Sequence, residues 1–290
     1  MRSYLYCPGN NPKMIINAGL YGADGLVFDL EDAVAPEKKQ EARILLSQAF
    51  SEQIVPVEKS VVRINGPESD LWEKDLKELI PAGVRVIRIP KVEHSNQVQE
   101  ISGVIERIES ENAVTSGAVV LQCILETPLG VENVFLIGDS SSRICSFSFG
   151  AEDYCNALGI QRGQDLLPLD YPRSRIASAA AAFGYSAYDT VWGFLDDETG
   201  LKADAVRAKS LGFVGKSLIH PDQIDIVNKV FSPTSEELAD ARSIFEKAGL
   251  TDGGATAVNG RMVDRPVLQR AEKTIRLAEE YGVQVSKDDK

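Results

Sequence analysis

The residues able to do chemistry in this 290-residue chain are mostly acids that close short apolar runs. Asp29, Glu31 and Asp32 end one such run, Glu126 follows another, and Glu152 and Asp153 follow Gly150 at the end of a third. Arg63 with Asn65, Lys91 after Pro90, Asp189, and Lys216 with His220 occupy equivalent places. The only histidines, His94 and His220, lie far apart, and Cys7, Cys123, Cys145 and Cys155 form no CxxC pair, which leaves little from which to build a zinc or iron site. Converging carboxylates with an arginine suit a hard cation such as Mg²⁺, whose open positions take an oxygen-rich substrate.

Glu126 and Asp153 are the candidate metal ligands, because each follows a largely apolar run and the two runs are consecutive. A single acid in such a place more often charges the first turn of the next helix; two in succession tip the balance toward metal. Arg63 has two readings of equal weight. It is a clamp for a substrate anion or a bridge to Asp29 or Glu31, since the planar fork of a guanidinium serves either. Nothing near Lys91 depresses its pKa, so it reads as solvated or paired and not as a Schiff-base lysine. His220, before Pro221 at a helix start, reads as structural.

These residues need a scaffold that gathers strand ends. Eight β-rich runs, at 5–7, 25–30, 60–64, 84–89, 119–125, 144–149, 188–191 and 213–219, alternate with segments of helical periodicity. Helix punctuation falls between them: Pro36 before 37–50, Asp70 before 71–80, Pro221 before 222–230. This α/β pattern predicts a (β/α)₈ TIM barrel over residues 1–231, with a doubly wound open sheet as the alternative. Residues 232–290 then form a C-terminal helical extension. Thr234 and Glu237 make a capping box for a helix with Leu238, Ala241, Phe245 and Ala248 on one face, stopped by Gly249. A second helix starts at Pro266, and the glycine-rich stretch 251–260 between the two reads as a flap. The extension is either a clasp on its own barrel or an arm onto a neighbouring subunit.

Composition narrows the function classes. The chain is 43% hydrophobic and 26% charged, with a net charge of −12, so it buries a large core and repels nucleic acid and anionic membranes. No apolar stretch approaches the ~20 residues of a membrane span, and Met1 leads directly into the first strand, so a cytoplasmic protein with reduced cysteines is expected.

Several motifs carry a family resemblance. Residues 2–10, RSYLYCPGN, resemble the RS-x-L-x-x-PG-N opening of citrate lyase beta subunit-like proteins, part of the HpcH/HpaI aldolase/citrate lyase family. DLEDAV at 29–34, PK at 90–91, ILET at 124–127, FGAED at 149–153, GFVGK at 212–216, IHP at 219–221 and GRMVDRP at 260–266 are similar to further motifs of that family.

The resemblance implies a Mg²⁺-dependent barrel lyase acting on CoA or acyl-carrier thioesters, with 2-oxoacids such as glyoxylate, pyruvate or oxaloacetate. By position, Glu126 and Asp153 become metal ligands, Arg63 the substrate clamp, and Asp264 a base delivered by an adjacent subunit of a homotrimer. CoA is then expected across the barrel mouth. Lys13 and the amides of Gly9, Asn10 and Asn11 are candidates for its binding, although the same stretch reads well as a turn capping the helix after Pro12. The leading expectation is cleavage of malyl-CoA or citramalyl-CoA to a 2-oxoacid and an acyl-CoA. Rivals are a citrate lyase beta subunit using a citryl-carrier thioester, a malyl-CoA thioesterase or malate-synthase-like enzyme, a Schiff-base aldolase through Lys91 or Lys216, and a non-catalytic CoA-binding assembly protein.

Overall fold

A computed structural model describes residues 1–163, 167–248, 256–258 and 261–284. It divides into two compact units, Met1–Asn228 and Lys229–Lys290. In the first, eight strands close a barrel in chain order: β1 Ser3–Pro8, β2 Gly25–Asp29, β3 Ser60–Arg63, β4 Val86–Ile89, β5 Val120–Leu125, β6 Ile144–Phe149, β7 Ser186–Asp189 and β8 Gly215–Leu218. Every pairing is parallel, and β1 meets β8 through Ser3↔Lys216 to complete the ring. The open-sheet alternative is thereby excluded.

Parallel pairing requires crossovers, and helices supply them. They are α1 Pro12–Asn17, α2 Lys39–Ser51, α3 Trp72–Leu79, α4 Ser95–Glu111, α5 Pro128–Glu132, α6 Val134–Gly138, α7 Ala151–Leu158, α8 Asp170–Phe183 and α9 Glu198–Ser210, and α10 Ile224–Phe231 follows β8. Apolar spacing decides which face each one buries: α4 buries Val98, Ile101, Ile105 and Ile108, and α2 buries Ala42, Leu46 and Ala49. Strand β7 starts two residues before the expected 188 and stops at Asp189. Gly184, left-handed at φ 73°, ends α8 so tightly that the ladder starts at once, while Thr190 leaves it to accept the Ala151 N–H at 3.0 Å.

Barrel interiors are usually filled by branched aliphatic side chains. This one mixes Val27 and Val61 with Tyr4 and Tyr188, whose rings meet edge to face at 4.7 Å. It also holds Arg88 and Gln122, both buried.

The second unit contains α11 Ser235–Ala248, the antiparallel strands β9 Thr256–Val258 and β10 Arg261–Val263, and α12 Arg265–Glu280. The capping box forms as expected: the Thr234 N–H donates to Glu237 at 2.8 Å, and the Glu237 N–H donates to Thr234 Oγ1 at 3.1 Å. Part of the expected flap is instead this two-stranded ribbon, since Thr256, Val258 and Val263 favour an extended backbone. Gly249 and the rest of the flap lie outside the described residues. Val263 is buried against Ile244, Val267 and Leu268.

Candidate active site

A cavity of about 370 Å³ opens at the carboxyl ends of the strands and is lined by Tyr6, Asp29, Arg63, Glu126, Ser148 and Asp153, among others. Asp29, the last residue of β2, sits beside Arg63, the last residue of β3, in register. The Arg63 Nε and Nη2 donate to the two Asp29 oxygens at 2.7 and 2.6 Å, and the N–H groups of Glu31 and Ala33 donate to the same carboxylate at 2.9 and 3.0 Å. Burial disfavours the charge on Asp29, but Arg63 and the two turn amides outweigh it and hold the pKa below the ordinary aspartate range. Arg63 Nη1 also lies 2.8 Å from Glu31 and 3.8 Å from Asp32. Both readings of Arg63 therefore meet at one place: it is a bridge to Asp29 and Glu31, and it lines the cavity.

Glu126 follows β5 and is 3% exposed. Its Oε1 accepts the Lys91 backbone N–H at 2.7 Å. That N–H is aimed by a left-handed backbone at Lys91, φ 52°, an uncommon conformation for a non-glycine residue that concentrates at functional sites. The Lys91 ammonium lies 2.7 Å from Glu31, and although burial opposes its charge, the bond to Glu31 raises its pKa. A lysine held protonated in this way is unsuited to Schiff-base chemistry. Burial pushes the Glu126 carboxyl up to about 8, with the charge of Arg63 offsetting only part of the effect.

Across from Glu126, Gly150 joins β6 to α7. A Cβ at Gly150 would stand 2.4 Å from Glu126 Oε2, so the missing side chain is the space that the carboxylate occupies. Asp153, half-buried in the first turn of α7, lines the same cavity. A buried carboxylate that burial makes reluctant to ionise, facing a second carboxylate, fits a hard divalent cation. Among the described residues no three His, Cys, Asp or Glu side chains converge as a metal cage. Two carboxylates with the remaining positions left to water and substrate is how Mg²⁺ is commonly held.

Other strand-end residues are engaged elsewhere. Asn65 is buried against Asp75, which Arg43 also grips at 2.6 Å. Asp189 and Lys216 belong to a fully buried network with Arg173 and Asp204. Burial opposes ionisation of Asp189, but Arg173 and Lys216 hold its pKa down to about 2. His220 Nδ1 accepts the Asp222 N–H at 3.3 Å, a capping contact. Lys13 is exposed on α1, outside the cavity lining, and Asn11 caps that helix by accepting the Met14 N–H at 3.2 Å. Asp264 lies in the second unit, where it caps α12 by accepting the Val267 N–H at 3.2 Å.

Sequence reasoning missed Tyr6, Ser148 and Arg162. Arg162 donates to Glu152 at 2.7 Å and to the Val191 carbonyl, tying the start of α7 to the segment after β7. Tyr6 and Ser148 are inward positions of alternating strands, a signal present in the period of two but not used.

Residues 2–221 match the HpcH/HpaI aldolase/citrate lyase family. The chain belongs to this family. It is 39% identical over 280 residues to the citrate lyase subunit beta of Leuconostoc mesenteroides subsp. cremoris, covering 96% of this chain and 93% of that one. It is 32% identical over 301 residues to the L-malyl-CoA/beta-methylmalyl-CoA lyase of Cereibacter sphaeroides, covering 96% and 94%. The solved structure of CitE from Mycobacterium tuberculosis, in complex with magnesium, acetoacetate and coenzyme A, superposes with a TM-score of 0.79 at 31% identity, covering 96% and 98%. These relatives are lyases or lyase subunits, and this member of the HpcH/HpaI family is a lyase as well.

Proposed function

We propose that this chain is a Mg²⁺-dependent carbon–carbon lyase that cleaves a 3-hydroxyacyl-CoA thioester, malyl-CoA or citramalyl-CoA, to a 2-oxoacid and an acyl-CoA. The observation that carries the reading is the buried carboxylate of Glu126, set in the gap at Gly150 and sharing one cavity with Asp153. Glu126 and Asp153 would hold the ion. When bound, Mg²⁺ supplies a divalent charge that lowers the cost of negative charge on the substrate's oxygens.

Cleavage removes the proton of the 3-hydroxyl, which becomes the oxo group. It passes the electron pair of the broken bond to the departing acyl thioester, whose α-carbon ends protonated. Arg63 is the proposed clamp for the negative charge on the substrate, its plane fixed by Asp29. Asp264 is the proposed base, its carboxylate mounted at the start of α12 and contributed by a neighbouring subunit of a homotrimer. Lys13 is proposed to meet the phosphate end of CoA. The acidic net charge agrees with a cytoplasmic protein that binds no nucleic acid, and among the described residues no helix is long and apolar enough to cross a membrane.

A second reading is favoured by the 39% identity to a citrate lyase subunit beta: the same site acting on a citryl thioester of an acyl carrier. One screen tests both. Purified protein with Mg²⁺ is offered malyl-CoA, citramalyl-CoA, citryl-CoA and a citryl-carrier thioester, and released 2-oxoacid is measured. The first reading expects turnover of a CoA substrate that excess EDTA abolishes; turnover of the carrier substrate alone selects the second. Bound CoA ester without any turnover overturns both and leaves a CoA-binding assembly protein.

A further inference from the structure

Helix α7 begins without a local cap. The first four N–H groups of a helix have no partner inside it, and a Ser, Thr, Asp or Asn side chain at the preceding position normally receives one of them. Here that position is Gly150, which has no side chain to offer. Glu126 enforces the choice, because a Cβ at Gly150 would stand 2.4 Å from Glu126 Oε2. A glycine also has no Cβ to limit its backbone, so the turn from Gly150 to Asp153 has to be fixed from outside.

The two neighbouring strand ends fix it. On the β5 side the Gly150 N–H donates to the Leu125 carbonyl at 3.2 Å, which ties the turn to the residue just before Glu126. On the β7 side Thr190 Oγ1 accepts the Ala151 N–H at 3.0 Å, from 39 positions along the chain. Thr190 is 2% exposed and lines the same cavity as Glu126 and Asp153. Farther out, Arg162 donates to Glu152 at 2.7 Å and to the Val191 carbonyl, which joins the residue after Thr190 to the same turn. Arg162 grips a largely exposed side chain, whereas Thr190 holds the backbone itself, two residues before Asp153.

We propose that Thr190 is a positioning residue for the metal site: it caps α7 from the neighbouring strand in place of Gly150, and its hydroxyl thereby keeps Asp153 where it can share an ion with Glu126. Thr190 acts through the Ala151 peptide and not as a ligand. Losing the hydroxyl leaves the Ala151 N–H buried without its acceptor, and the turn relieves that cost by rotating about Gly150, which carries Asp153 with it. Partners that orient a metal ligand in this way commonly govern affinity by about 10- to 100-fold. The proposal rests on the reading of Glu126 and Asp153 as the metal pair.

Thr190→Val removes the hydroxyl at nearly constant volume, and Thr190→Ser keeps the hydroxyl while losing a methyl. Mn²⁺ dissociation constants are measured by electron paramagnetic resonance on the full chain without substrate, and melting temperatures are measured on the same proteins without metal. Thr190→Val is expected to weaken Mn²⁺ at least about tenfold, and Thr190→Ser to stay within about twofold of wild type. If Thr190→Val does not fold, Thr190→Ala takes its place with the same loss expected. A lowered melting temperature with unchanged Mn²⁺ affinity makes Thr190 a structural cap alone and overturns the proposal. Equal weakening in Thr190→Val and Thr190→Ser overturns it as well, since the hydroxyl is then not what sets the affinity. Glu126→Gln separates this inference from the reading beneath it. A wild type that binds no Mn²⁺, or a Glu126→Gln protein that binds it as tightly as wild type, overturns the metal pair and the proposal with it. If Glu126→Gln loses the ion and Thr190→Val keeps it, the proposal falls and the metal pair stands.

Discussion

Gly150→Ala adds one methyl group at the place where Glu126 stands. The new Cβ would lie 2.4 Å from Glu126 Oε2 and 2.6 Å from Glu126 Cβ. Ordinary carbon contacts begin near ~3.5 Å, so the Glu126 side chain must retreat by about 1 Å. Metal coordination tolerates deviations of only about 0.2 Å, so under the proposed function Glu126 and Asp153 could no longer hold one ion together. The backbone itself accepts alanine, since φ at Gly150 is −111°. Replacing a glycine N-cap of α7 by alanine costs on the order of 0.5–1 kcal/mol, a small change in melting temperature. Steric displacement therefore dominates. Mg²⁺ or Mn²⁺ affinity, read by calorimetry or by electron paramagnetic resonance of Mn²⁺, should fall by at least about tenfold, with turnover falling alongside and circular dichroism unchanged. Unchanged metal affinity in a folded Gly150→Ala protein would show that Glu126 is not a ligand.

Arg63→Lys keeps the charge but loses the fork that grips Asp29 at 2.6 and 2.7 Å, so kcat/KM should fall at least about tenfold and stability by about 1–3 kcal/mol. A stability loss with unchanged turnover would assign Arg63 to the bridge alone. Lys216→Met leaves the buried Asp189 and Asp204 with Arg173 as their remaining cation, and calorimetric melting should show a loss of about 3–5 kcal/mol with metal affinity of the folded protein intact. Burial opposes the charge of Asp24, yet Arg2 holds its pKa below the ordinary value. That stabilisation is present above the unfolded aspartate pKa near ~3.9 and is lost as pH falls through the lower folded value, so in urea titrations Asp24→Asn should be less stable than wild type at neutral pH and converge with it in acid. Mixing an Asp264→Ala protein with a Glu126→Ala protein should restore activity if the tail of one subunit serves the metal pair of another, and two inactive parents that stay inactive after verified subunit exchange would refute that arrangement.

Much of the barrel was legible because its signals are local. Each strand is a short run whose alternation and β-branched residues need only neighbours a few positions away, and Pro36, Pro221 and the Thr234–Glu237 box mark helix starts through backbone geometry alone. Glu126 and Asp153 were visible for the same reason, since the acid after an apolar run falls at a strand end in any parallel barrel. What the chain by itself left undetermined depends on which strands meet. Closure required β1 to pair with β8, some two hundred residues apart, and no local pattern distinguishes a closed sheet from an open one. The same limit hid the partners of charge: the bridge from Arg63 to Asp29 is set by the β2–β3 register, and Asp189 and Lys216 looked like site residues until α8 and α9 closed over them with Arg173 and Asp204. Residue types set which groups can carry charge and which segments can be strands. Only tertiary packing decides which charges neutralise one another and which, like Arg88 against Gln122 and Tyr6, are met by neutral groups, because electrostatic pairing depends on distance in space and not on separation along the chain.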